Sequence, residues 1–98
     1  MVLEVAILDV KTTQENGFER DFSAASAFLS SIDGYLSHEL HRCVEKPSRY
    51  ILLVRWETLE ADTEGFRKSS RYVEWKKLLH HYYDPFPNVE HYTRVHGH

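Results

Sequence analysis

The chain has 98 residues and a formal net charge of −3, with no Lys/Arg cluster, so it is one domain's worth of sequence with nothing to grip a nucleic-acid backbone. Its one cysteine, Cys43, rules out an internal disulfide and fits a reducing compartment. Met1-Val2-Leu3-Glu4 lacks the basic start of a signal peptide, and Glu4 and Asp9 interrupt the first apolar run. The expectation is therefore a cytoplasmic domain over 1–98 without a membrane span.

Val2 to Val10 reads as the first strand, with Leu3, Val5 and Ile7 on one face and Val2, Ala6, Leu8 and Val10 on the other. Asn16-Gly17-Phe18-Glu19 offers an N-cap with an acid three residues on. Phe18, Phe22, Ala25, Leu29 and Ile32 then recur at spacings of four, three, four and three, which predicts a helix over 15–31 with one buried stripe. Asp33-Gly34 closes it. Tyr35 to Glu45 alternates weakly, with polar residues on both faces, as suits an edge strand. Glu45-Lys46-Pro47-Ser48 turns the chain into Tyr50–Trp56, a run apolar on both faces except at Arg55. Each side of that strand needs a cover.

After Trp56, Thr58 is placed to cap a short helix carrying Glu60, Asp62 and Glu64 early, where negative charge suits the helix dipole. Ser69-Ser70 breaks or re-caps it, and Tyr72, Trp75, Leu79 and Tyr82 follow on one side at helical spacing. Asp84-Pro85-Phe86-Pro87 ends the helix. Val89 to Val95 reads as the last strand, and His96-Gly97-His98 as a loose tail. The order strand, helix, strand, strand, helix, strand is the ferredoxin-like βαββαβ pattern, an α+β fold. Its four-stranded antiparallel sheet has strands one and three at the centre and both helices on one face. The other face presents Ile51, Leu53 and one set from the first strand, a larger apolar patch than a monomer keeps in water. A homodimer, sheet against sheet, is expected.

With these elements in place the sequence resembles the antibiotic biosynthesis monooxygenase domain family of dimeric α+β barrels. The resemblance rests on the strand ending at Trp56, on Gly65-Phe66-Arg67-Lys68-Ser69 with Tyr72-x-x-Trp75, and on Pro87-x-Val89-Glu90-His91-Tyr92. It implies the same fold and dimer, and a cofactor-independent monooxygenase acting on a small phenol, quinol or polyketide-like ring. A non-catalytic dimeric module of the same fold that binds a small ligand is the rival reading. The haem-degrading branch is disfavoured, because Ile7, Phe66 and Lys76 fall near its Asn, Trp and iron-ligating His. Asp62 stands where similar sequences carry a histidine.

Oxygenation without a cofactor asks for a dry aromatic pocket, a group to orient the phenol and a base. The substrate-binding candidates are Trp56, Phe66, Arg67, Trp75 and Tyr92, with Arg67 as the partner of a phenolate. His91, His38 and Tyr72 are the catalytic candidates for orienting or deprotonating the ring. The plain alternative is that aromatics at helical spacing are core. No metal is expected. His38 and His41 face opposite sides of a strand, and His80 and His81 stand roughly 100° apart on a helix. Cys43 shares a strand face with His41, yet an ordinary edge-strand cysteine is the better reading. There is no Gly-rich phosphate loop and so no expected nucleotide cofactor.

Overall fold

The computed structural model describes residues 1–97. Its elements are β1 (Val2–Asp9), α1 (Glu15–Ser30), β2 (Tyr35–Arg42), β3 (Arg49–Trp56), α2 (Ser70–Leu79) and β4 (Val89–Tyr92). A π-helical turn, Ala61–Phe66, precedes α2, and a 3-10 turn, His80–Tyr82, follows it. The strands pair antiparallel in the order β2-β3-β1-β4, so the two most apolar strands are central and the fold is the ferredoxin-like one expected. The register sets Glu4 opposite Val54 on β3 and opposite His91 on β4.

The helices cover one face of the sheet. Ala6, Leu8, Tyr50, Leu52, Val54 and Trp56 are buried beneath Phe18, Phe22, Ala25 and Leu29 of α1 and Trp75 and Leu79 of α2. A tilted ring pair, Phe18 to Tyr50 at 4.9 Å between centroids, joins α1 to the sheet, and an edge-on pair, Phe22 to Trp75 at 5.6 Å, joins the two helices. On the other face, Leu3, Val5, Ile51 and Leu53 are only half-buried and Ile7 is exposed. Gly34 turns α1 into β2 at φ +88°, and a Cβ there would stand 2.7 Å from that of Ala61. Only glycine lets the turn and the π-helical segment meet.

Three expectations are corrected. β2 ends at Arg42 rather than Glu45, because the Cys43 N–H closes the hairpin on the Arg49 carbonyl at 2.7 Å and Val44 beyond it is exposed. β4 stops at Tyr92 rather than Val95: Leu3 already pairs with Tyr92, and β1 has almost no chain left to offer. Asn16 lies inside α1, and no side chain caps the helix start. The Glu15 carboxylate instead accepts from the Ser48 hydroxyl, tying α1 to the β2–β3 turn. Ser69 does cap α2, accepting from the Tyr72 N–H at 3.2 Å. His98, part of the tail reading, lies outside the described residues.

Candidate active site

A cavity of about 200 Å³ lies between the helix-covered face of the sheet and α2. Its floor includes Glu4, Ala6 and Leu52; Phe66, Tyr72 and Trp75 form the wall on the helix side; His80, Tyr83 and Phe86 lie at the end past α2. The lining is aromatic and aliphatic with a few polar groups, as in small-molecule sites generally. Phe66 meets Tyr72 and Trp75 edge-on at 5.2 and 5.6 Å between centroids, which fixes that wall. Among the described residues the Tyr72 and Tyr83 phenols make no hydrogen bond, and burial raises the proton affinity of both. Burial also lowers that of His80, aided by Lys76 and Arg67, so its imidazole is neutral at pH 7.

Glu4 is the unusual member. Strand alternation sends it to the buried face along with Ala6 and Leu8, and it is 6% exposed. The Trp56 indole N–H donates to its Oε1 at 2.9 Å, and Arg67 Nη2 lies 3.5 Å from its Oε2. Burial first, and then the charge of Asp62, push the carboxyl up to about 7. The Trp56 bond, Arg67 and His91 pull the other way without prevailing.

Asp62 is 0% exposed. The π-helical turn is closed by the Arg67 N–H donating to the Asp62 carbonyl at 2.9 Å, an i to i+5 bond of the kind that often marks functional sites. Its place in the sequence suggests a solvated acidic first turn; the wider turn buries it instead. Its Oδ2 accepts from His91 Nε2 at 2.6 Å, while its Oδ1 has no hydrogen bond and faces Arg67 Nε at 3.5 Å. Glu4, Asp62 and His91 bring ligand atoms within 4.8 Å of one another, so they are the residues that by donor type suit a divalent cation. Arg67 already lies against both carboxylates and supplies positive charge there.

Of the residues singled out from sequence, Phe66, Arg67, Tyr72 and Trp75 line the cavity together. Trp56 does not. It is 0% exposed and sits behind Glu4 as its hydrogen-bond donor. His91 meets Asp62 rather than the cavity. His38 lies elsewhere, bonded to Tyr35 at 2.5 Å and edge-on to Phe22, because its register partner is Val54 on the side of the edge strand. Tyr92 points to the open face, 48% exposed, with its phenol on Glu90 at 3.0 Å. The alternation that brings His91 inward turns its neighbour outward. Sequence reasoning missed Glu4, Asp62, His80 and Tyr83. Glu4 had a signal, being the one acid in the otherwise apolar set Val2, Ala6, Leu8, Val10.

Trp56→Ala is expected to cost about 3–5 kcal/mol, as large-to-small changes at buried aromatics do. It also strips Glu4 of its hydrogen-bond donor. Denaturant unfolding measures the first effect, and a midpoint within error of the unmodified chain would rule it out.

Sheet, aromatic wall and buried carboxyl define a small ferredoxin-like α+β protein with a cavity between sheet and α2. The chain belongs to the antibiotic biosynthesis monooxygenase family, which it matches over residues 1–78. It is 52% identical over 95 residues, 97% of its length and 100% of the other's, to the uncharacterised protein YczJ of Bacillus subtilis (strain 168). A crystallised Bordetella bronchiseptica protein named for the same family shares 33% identity with a TM-score of 0.91, covering 96% of each chain. SnoaB of Streptomyces nogalater, a cofactor-independent oxygenase, superposes with a TM-score of 0.86 over 98% of this chain and 94% of its own. At 19% identity that likeness speaks to the fold alone. No helix among the described residues is long and apolar enough to cross a membrane.

Proposed function

We propose that the protein is a cofactor-independent monooxygenase of a small phenol, with Glu4 as the group that takes the substrate's proton. The observation that carries this reading is a buried carboxyl, pushed up to about 7, in the floor of an otherwise largely aromatic and aliphatic cavity. A base with that affinity is half-ready at neutral pH and still strong enough to help ionise a phenol. Arg67, beside Glu4, stabilises the phenolate, and Tyr72 donates to a ring oxygen. His91, a catalytic candidate from sequence, acts through its bond to Asp62 beside Glu4, and His38 has no part.

The chemistry balances with dioxygen as the oxidant. The phenolate gives one electron to dioxygen, and the radical pair joins at the para carbon to form a C–O bond. Glu4 returns its proton to the resulting peroxide. Loss of the proton on that carbon then breaks the O–O bond, and the second oxygen leaves as water. A phenol with a free para position thus becomes a quinone, and Glu4 ends as it began.

Cavity size limits the substrate. An apolar cavity of about 150 Å³ holds benzene, and drug-sized ligands use roughly 300 Å³ or more. About 200 Å³ suits one ring or two. Phenols and naphthols should quench the fluorescence of Trp75, and a four-ring polyketide should not; tight binding of the four-ring compound would contradict the assigned cavity. Oxygen uptake with quinone formation from a naphthol tests the reaction itself. Binding without turnover would favour the non-catalytic ligand-binding module.

The same proposal includes a homodimer. Leu3, Val5, Ile7, Ile51 and Leu53 are contiguous on the two central strands and lie opposite the helices. A second copy of that face is the simplest cover, and it leaves the cavity of each protomer separate.

A further inference from the structure

Resting on the oxygenase reading just given, we infer that Asp62, which never touches the cavity, is the positioning residue that decides when Glu4 takes and returns the substrate's proton. Three features of the cluster carry this. The two carboxyls are both buried and come within 4.8 Å, so water does little to screen one from the other. A single guanidinium, Arg67, serves both, at 3.5 Å from each. That is too long for a strong hydrogen bond to either. Finally, Asp62 is held in place by His91 Nε2 at 2.6 Å, from the strand position paired with Glu4 itself.

The groups facing Glu4 come from every element packed against it. Trp56 on β3 donates an N–H, Arg67 and Asp62 come from the segment of the π-helical turn, His91 comes from β4, and Tyr72 from α2. Trp56, Arg67 and His91 favour the ionised Glu4, whereas Asp62 opposes it. Removing the charge of Asp62 while keeping its shape therefore leaves burial alone against three favourable partners. Glu4 then becomes easier to ionise and poorer at accepting a proton from a phenol, with burial still holding its affinity up.

The test is a carbon-13 NMR titration of the full chain labelled at glutamate side-chain carboxyls, with the Glu4 signal identified by its loss in Glu4→Gln. In the unmodified protein the Glu4 midpoint is expected near 7. Asp62→Asn should move it down, and Asp62→Glu should keep it high. The acid limb of kcat/KM for oxygen uptake should shift down with it while the plateau falls.

An unmoved Glu4 midpoint in Asp62→Asn overturns the inference. Should that variant not fold, a Glu4 midpoint in the ordinary carboxylate range in the unmodified chain overturns it equally. Micromolar Mn²⁺ that broadens the Glu4 signal in the unmodified chain but not in Asp62→Asn would make the cluster a cation site and also overturn it. If the midpoint moves but no naphthol is oxidised, the hold of Asp62 on Glu4 stands and the oxygenase reading falls. If turnover is seen with an unmoved limb, the reverse is true.

Discussion

Replacing Leu53 with glutamate is expected to halve the mass of the protein in solution. Leu53 lies in the middle of β3 on the open face, paired with Val5 of β1 on one side and Glu39 of β2 on the other. Two such faces in contact would place each Leu53 near the centre of an interface. A carboxylate there loses its water beside Glu39, which already engages Arg55 at 2.9 Å, at a cost of several kcal/mol. Interfaces of standard size bury roughly 1,600 Å² in total, and a central loss of that order separates most of them. The helix-covered core lies on the other side of the sheet, so the monomer should keep its far-ultraviolet spectrum. Analytical ultracentrifugation of the unmodified chain and of Leu53→Glu decides it. An unmodified chain that sediments as a monomer, or a variant that stays dimeric, ends the sheet-to-sheet model.

The second large effect comes from Glu4→Gln. Loss of the general base should lower kcat/KM for naphthol oxidation by about 10²–10⁴-fold. Stability should move in the opposite direction. Glu4 in the folded chain holds its proton up to about 7, against an ordinary value of 4.5. Between those two values the folded state keeps a proton that the unfolded chain has released. The contribution of Glu4 is thus fully present below about 4.5 and is lost as the pH rises through about 7. The loss is of the order of 3 kcal/mol at most, from roughly 1.4 kcal/mol for each unit of difference. Glutamine cannot ionise and escapes it. At pH 8 the variant should be more stable than the parent by about 1–3 kcal/mol, several degrees in Tm, with the advantage vanishing near pH 4. Thermal melts at both pH values check the sign. A variant that is less stable at pH 8 would mean that Glu4 is not held against its charge.

The aromatic half of the site was legible in the chain. Tyr72 and Trp75 sit at a helical interval, Phe66 and Arg67 come just before their helix, and the pocket is where these residues meet the sheet. The acidic half was not. A reading of Val2–Val10 by its apolar residues passes over Glu4, and an acid near a helix start such as Asp62 ordinarily points to water. Two facts of geometry changed that: the wider π-helical turn that buries Asp62, and the short β4 that brings His91 opposite Glu4. Tyr92 was misplaced for the same reason, since one step along a strand exchanges cavity for open face.

The sequence by itself determined the element order, the central strands, the buried stripe of α1 and the apolar second face, because periodicity of two or of 3.6 residues is set within a few turns of chain. Only the tertiary structure decided that Glu4, Asp62, Arg67 and His91 form one cluster. They come from β1, from the stretch between β3 and α2, and from β4, and no local rule links them. What joins them is strand register and a single i to i+5 hydrogen bond. Register in turn depends on which apolar faces must be buried against each other across the whole chain.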